Sequence, residues 1–178
     1  MGDDQTLLAG LRDLDAQIIT KVHEIYYPMI YRYAHYRQGD ATIAEDLASE
    51  TFIRLLEAIH AGNGPRTSLR GWLMGTISNI VNDHYRVAYN KPIEPLQEDA
   101  LARSGNPVSH SERSDQEAAL REALLKLTPD QQHIITLRFG TGCSLAETAK
   151  IVGIKTNAVK QLQFRALNAL RKHVKAEI

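Results

Sequence analysis

Apolar positions recur along most of this chain at steps of three and four, the spacing that lines up side chains on one face of an α-helix. No segment sustains the strict alternation of a half-buried strand, so the pattern predicts an all-α fold. A first helix is expected over residues 13–27, with Ile18, Val22, Ile25 and Tyr26 on one side. Pro28 is expected to kink or break it, because proline lacks an amide hydrogen and its ring crowds the preceding turn. A second piece continues through Ile30, Tyr33 and Ala34 until Gly39-Asp40. Over residues 42–59, Ala44, Leu47, Ala48, Thr51, Phe52, Leu55 and Ile59 form one stripe, opposite Glu45, Asp46, Glu50, Arg54 and Glu57. The stretch Ala61-Gly62-Asn63-Gly64-Pro65-Arg66 has strong turn chemistry. The cleanest amphipathic helix follows, with Leu69, Trp72, Leu73, Ile77, Ile80, Val81 and His84 inward and Ser68 as N-cap. Its opposite face offers Arg70, Met74, Ser78, Asn82, Tyr85 and Arg86, flanked by Asn79 and Asp83.

Periodicity is lost from about Tyr89 to Ser111, where Pro92, Pro95, Pro107 and Ser104-Gly105-Asn106 spell a flexible linker. Two small helical domains are therefore expected, at 1–88 and 114–178, joined by residues 89–113. The second opens near Ser114, with Glu117 completing a capping box, and places Leu120, Ala123, Leu124 and Leu127 on its apolar side. Thr128-Pro129-Asp130-Gln131 is another box, with proline at the first helical position, and starts a helix carrying Ile134, Ile135, Leu137 and Phe139 before Gly140. Ser144-Leu-Ala-Glu147 is a third. A short helix, a break at Gly153 and a longer helix then complete a helix-turn-helix, the arrangement that presents a second helix to a DNA major groove.

Charge sharpens that picture. The 178 residues hold 21 basic and 21 acidic side chains, a balance that argues against a generic nucleic-acid binder. Locally, however, residues 150–178 carry seven basic residues against Glu177 alone, whereas residues 1–86 have eight basic and eleven acidic. Positive charge is concentrated where phosphate contact requires it. The 43% hydrophobic share supports folded cores of modest size. Cys143 is the single cysteine, so no intrachain disulfide forms; it is expected to be a small buried apolar residue in a reducing compartment. No apolar run has the length of a membrane span and no signal-peptide core opens the chain, so a cytoplasmic location is expected.

On the last helix Val159, Leu162, Ala166, Ala169 and Leu170 mark the buried side. The opposite side is centred on Asn157, Lys160, Gln161 and Phe164. Lys155, Thr156, Asn157, Lys160 and Gln161 can donate to phosphates or base edges, and Arg165 suits a phosphate. A plain solvated helix would explain Lys160, but hardly Phe164 together with the tight glycine break. The acidic face over 42–59 repels DNA and reads either as solvated surface or as a docking face for a protein, with Arg54 setting register. Arg66, Arg70, Asn79, Asn82, Tyr85 and Arg86 mix cations, amides and an aromatic ring, a combination that binds single-stranded nucleic acid. Seven histidines form no ligand-type pairing, and no nucleophile or phosphate loop accompanies Asp83-His84; neither a cofactor, a metal nor catalysis is expected.

Two motif sets, Ala44-Glu45-Asp46-Leu47-Ala48-Ser49-Glu50-Thr51-Phe52-Ile53-Arg54 and Trp72-Leu73-Met74-Gly75 through Asn79 to Asp83-His84-Tyr85-Arg86, closely resemble region 2 of bacterial extracytoplasmic-function (group IV) RNA polymerase sigma factors. Leu127-Thr128-Pro129, Leu137-Arg138-Phe139, Ser144 to Glu147, Ala158-Val159-Lys160 and Arg165-Ala166-Leu167 resemble region 4 of the same family. The resemblance implies a promoter-specific initiation factor. Asp46, Glu50 and Arg54 would dock the β′ clamp of RNA polymerase core. Asn63, Arg66, Ser68 and Arg70, with Asn79, Asn82, Asp83 and Arg86, would capture the melted minus-10 strand. Lys155, Thr156, Asn157, Lys160, Gln161, Phe164 and Arg165 would read the minus-35 duplex of promoter DNA, while the preceding helices hold the β flap. An anti-sigma factor is the implied controlling partner, and no further domain is expected after region 4. Lys155 stands where Ser or Thr is usual, so Thr156 is expected to cap the recognition helix. The alternative is a stand-alone helix-turn-helix regulator with an N-terminal sensing or dimerisation domain, which would bind its operator without polymerase.

Overall fold

The computed structural model describes residues 2–90 and 112–175, with side chains over 5–86 and 118–172. Every regular element among them is helical: α1 (Gly2–Arg12), α2 (Ala16–Gln38), α3 (Ala41–His60) and α4 (Leu69–Asn90) form the N-terminal unit. The second unit holds α5 (Glu112–Leu125), α6 (Pro129–Ile135) with a π-helical turn at Thr136–Gly140, α7 (Leu145–Val152) and α8 (Thr156–Lys175). Most of the expected linker falls outside the described residues. The backbone of α5 begins two residues before Ser114; the side chains of Ser114 and Glu117 are not among those described.

Helix α1 was not expected. Its Leu7, Leu8 and Leu11 are buried in the N-terminal core, and Gly10 lets it approach α2 closely, since a Cβ there would lie 2.5 Å from the Ile18 side chain. The chain reverses at Leu14 (φ +54°), after which the Asp15 carboxylate accepts from the amides of Gln17 and Ile18 and starts α2. Helix α2 then runs through Pro28 to Gln38, so the expected break is absent. A proline inside a helix costs about 3 kcal/mol. Burying Ile30 and Tyr33 beyond it returns roughly 1.5–3 kcal/mol each, and Glu24, whose carbonyl loses its partner, is exposed to water.

The N-terminal core brings together Val22, Ile30, Tyr33, Leu47, Leu55, Leu69, Leu73, Ile77 and Val81, as the periodicity predicts. It also contains Leu137 and Cys143, which belong to the second unit. The second unit's own core is split into two small groups, Leu124, Leu127, Ile135 and Ala166, and Ile134, Ala149 and Val159. The two units are therefore packed against each other. Phe139, expected at an apolar position, is 58% exposed. The π turn, closed by the Thr141 amide donating to the Thr136 carbonyl at 3.0 Å, adds a residue to the turn and rotates Phe139 outward.

Candidate nucleic-acid interface

Local chemistry builds the helix-turn-helix. In α7 the Ser144 hydroxyl accepts from the Glu147 amide at 3.1 Å, and the Glu147 carboxylate accepts from the Ser144 amide at 2.7 Å. The Ser144 amide, followed by the Ser144 side chain, holds the Glu147 carboxyl below its usual range, against the opposing effect of partial burial. Gly153 then turns the chain at φ +75°, its amide donating to the Ala149 carbonyl. A Cβ at this position would meet nothing within 4 Å, so the demand for glycine is conformational. Lys155 supplies the first carbonyl of α8, accepting from the amides of Ala158 and Val159. Thr156 is thus the first helical residue and not the cap that the sequence suggested.

Val159 and Ala166, both fully buried, fix the rotation of α8. Lys155, Thr156, Asn157, Lys160, Gln161, Phe164 and Arg165 all face solvent, with Phe164 67% exposed. These seven residues occupy one continuous polar face with a single aromatic ring. Behind it, Arg138 donates to Gln163 at 2.9 Å and to the Cys143 carbonyl, tying α8 to the π turn.

The second candidate surface lies on α4 and the loop before it. Ser68 caps α4 through its hydroxyl, which accepts from the Gly71 amide at 3.1 Å. Asn63, Arg66, Ser68, Asn79, Asp83 and Arg86 are exposed, and Arg86 lies 3.6 Å from Asp83 one helical turn away. Arg70 and Asn82 are only half-exposed, and each is already engaged. Arg70 donates to the Thr141 carbonyl at 2.5 Å and sits 3.6 Å from the Glu147 carboxylate. Asn82 accepts from Arg37 at 2.9 Å. Met74 and Ser78, expected on the open face of α4, are fully buried because the second unit covers them. A cleft of about 420 Å³ remains beside this contact, lined by Arg66, Ser68, Arg70 and Trp72 on one side and by Glu147 and Lys150 on the other.

The contact between the units has a polar half that the sequence did not announce. Arg37 is 1% exposed, with its guanidinium donating to the Pro129 carbonyl at 2.7 Å as well as to Asn82. The Gln132 amide donates to the carbonyl of Tyr36 at 3.1 Å, and the Tyr85 hydroxyl donates to the carbonyl of Arg37. His133 lies 3.3 Å from the Ser78 hydroxyl and edge-on to the Tyr33 ring. Burial, followed by the nearby Arg37 charge, pushes the His133 imidazole down to about 3.

On α3, well away from this contact, Asp46 is exposed and Glu50 pairs with Arg54 at 2.6 Å, both side chains 42% exposed. Ile53, 55% exposed, stands between them, one turn from Glu50 and two from Asp46. It was missed because the stripe rule assigns isolated apolar residues to the core; an isoleucine amid charges was the available signal. No helix among the described residues is long and apolar enough to cross a membrane.

Comparison with known proteins bears on both surfaces. Residues 22–89 match the family described as Sigma-70 region 2, and residues 123–172 match Sigma-70, region 4. The ECF RNA polymerase sigma factor BldN of Streptomyces coelicolor is 36% identical over 160 residues, 88% of this chain; the chain spans 60% of that relative's length. The ECF RNA polymerase sigma factor SigD of Mycobacterium tuberculosis is 30% identical over 169 residues, which cover 91% of this chain and 79% of the relative. Among solved structures, CnrH in complex with the cytosolic domain of CnrY shares the fold, with a TM-score of 0.74 at 19% identity over 98% of this chain and 99% of that one.

Proposed function

The chain belongs to the extracytoplasmic-function sigma factors of the sigma-70 family, and from that membership we propose that it binds RNA polymerase core and directs promoter-specific initiation. The observation that carries the reading is the presence, in one chain and in family order, of an acidic docking face, a cationic and amide-rich helix face, and an outward recognition helix. In this reading Asp46, Glu50 and Arg54 dock the β′ clamp, with Ile53 as the apolar anchor among them. Asn63, Arg66, Ser68, Arg70, Asn79, Asn82, Asp83 and Arg86 hold the melted minus-10 strand. Lys155, Thr156, Asn157, Lys160, Gln161, Phe164 and Arg165 read the minus-35 duplex, and the helices before them meet the β flap. The protein acts in the cytoplasm without catalysing a reaction, under the control of an anti-sigma factor.

Transcription in vitro with purified core polymerase and a promoter library tests this directly. Start sites that depend on the protein are expected. Their absence, together with specific duplex binding by the protein without core, would instead establish the stand-alone regulator. Single residues separate the surfaces. Asp46→Ala is expected to weaken core binding without changing promoter preference. Lys160→Ala is expected to lower the affinity of the holoenzyme for minus-35 duplexes and to flatten its salt dependence by about one unit of slope. Unchanged core affinity in Asp46→Ala would remove the docking assignment.

A further inference from the structure

We propose that the cavity where α2 meets α5 is a binding site for a nucleoside phosphate: the rings of Tyr31, His35 and Tyr36 take the base, and Arg32 and Arg121, one from each unit, grip the phosphate. The inference stands on this cavity and does not depend on the assignment of the promoter-binding surfaces.

An aromatic wall supplies the first argument. Tyr27, Tyr31 and His35 follow one another at four-residue steps along α2 and so share a face of the helix. Their planes are nearly parallel, at 15° between Tyr27 and Tyr31 and 10° between Tyr31 and His35, with centroids 6.2 and 5.6 Å apart. Tyr31 and His35 line a cavity of about 340 Å³, to which Tyr36, Pro28 and Leu120 add further apolar surface. Small-molecule sites have this size and favour such junctions between domains. Tyr36 is backed by the π turn: a Cβ at Gly140 would lie 3.1 Å from its ring, so glycine allows the close approach. A wall held in place before the ligand arrives costs little ordering on binding.

Charge supplies the second. Arg32 and Arg121 both line the cavity, and no acidic residue shares the lining. Arg32 is exposed and Arg121 half-exposed, and among the described residues neither is held in an ion pair or over an aromatic ring. Two unopposed guanidinium groups attract an anion, and their planar forks match the oxygens of a phosphate. Burial, followed by the Arg121 charge, holds the His35 imidazole below its usual value against the opposing effect of Asp40, so the ring stays neutral near pH 7. Its buried Nδ1 has no hydrogen-bond partner, which leaves a polar atom of the wall unused. Inorganic phosphate would engage the arginines and leave the rings idle, and an apolar ligand would do the reverse. A nucleotide engages both, with its base against aromatic surface and its phosphate in the forks. Each unit supplies one guanidinium, so the site is complete only with α5 against α2, and the ligand stabilises that arrangement.

Isothermal titration calorimetry of the full chain with the four ribonucleoside 5′-monophosphates tests the site. At least one is expected to bind with a Kd below about 1 mM, and roughly tenfold or more tighter than its nucleoside or inorganic phosphate. Arg32→Ala and Arg121→Ala are each expected to weaken binding about tenfold or more, through loss of a charge-assisted bond. Tyr31→Leu, which keeps apolar bulk and removes the ring, is expected to weaken it about fivefold or more. All three side chains are exposed or half-exposed, so circular dichroism spectra are expected to match wild type. The bound nucleotide is expected to raise the thermal midpoint of wild type but not that of Arg121→Ala. The proposal is overturned if none of the four binds, if none binds more tightly than phosphate alone, or if either arginine substitution leaves the affinity unchanged. A random-sequence single-stranded DNA oligonucleotide is expected not to displace the nucleotide; displacement would put the cavity on the path of a DNA strand and overturn the proposal as well.

Discussion

Lowering the pH from 7 to 5 is expected to destabilise the wild-type protein by roughly 2 kcal/mol more than it destabilises His133→Gln. His133 is neutral where it is buried, with its imidazole pushed from 6.5 to about 3 by burial and by the Arg37 charge. In the unfolded or undocked chain it regains its ordinary affinity for a proton. Between these two values the open chain binds more protons than the docked one, so stability rises with pH across that window. The contribution is fully present above 6.5 and is lost as the pH falls toward 3. The groups facing the ring are Arg37 and Tyr33 from α2 and Ser78 from α4, and none of them offers a negative charge to hold an imidazolium. His35, also lowered by burial and by Arg121, acts in the same direction, which is why the comparison is made against His133→Gln and not against pH 7 alone. Glu147 is held low by its bonds to Ser144, so its stabilising carboxylate is lost only at lower pH. Urea unfolding at both pH values measures the difference; parallel losses in the two proteins would show that His133 is not the group that titrates.

Leu137→Ala is expected to cost about 2–5 kcal/mol, the range for emptying a fully buried leucine site, and to move the unfolding transition reported by Trp72. Leu137 belongs to the second domain by sequence, yet it has no exposed surface and lies in the apolar cluster of the first. Trp72, the single tryptophan, packs against that same cluster on α4. Its fluorescence therefore follows the first domain, while the substitution is made in the second. If the domains are energetically coupled, the two act as one unit and the Trp72 midpoint falls. If they merely touch, circular dichroism records a loss of stability while the Trp72 transition stays in place. Coupling of this size would make docking a substantial part of the stability of the free chain, to be overcome by any partner that opens it.

Several elements were legible in the sequence because short-range chemistry decides them. The capping boxes at Thr128 and Ser144, the left-handed turn at Gly153 and the buried side of α8 are each set by residues within one or two turns. So were the amphipathic faces of α3 and the inner face of α4. Helix α1 carried a readable signal, Leu7, Leu8 and Leu11 at helical spacing, but its polar start and short length hid it. Pro28 misled for the opposite reason: a local rule was overridden by burial on both sides of it. Phe139 was misplaced because a π turn breaks the spacing from which its face was counted.

What the sequence determined by itself was most of the helices, the capping boxes at Thr128 and Ser144, and the outward polar face of α8, since a periodic pattern fixes one buried side per helix. What only the tertiary structure decided was the second buried side of α4, the loss of solvent around Arg37 and His133, and the engagement of Arg70 by the Thr141 carbonyl. Those depend on which surface another domain covers. Periodicity along one helix holds no record of that, because the partner residues, Pro129 to Thr141, lie 55 to 96 positions away and reach α2 and α4 only when the chain is folded.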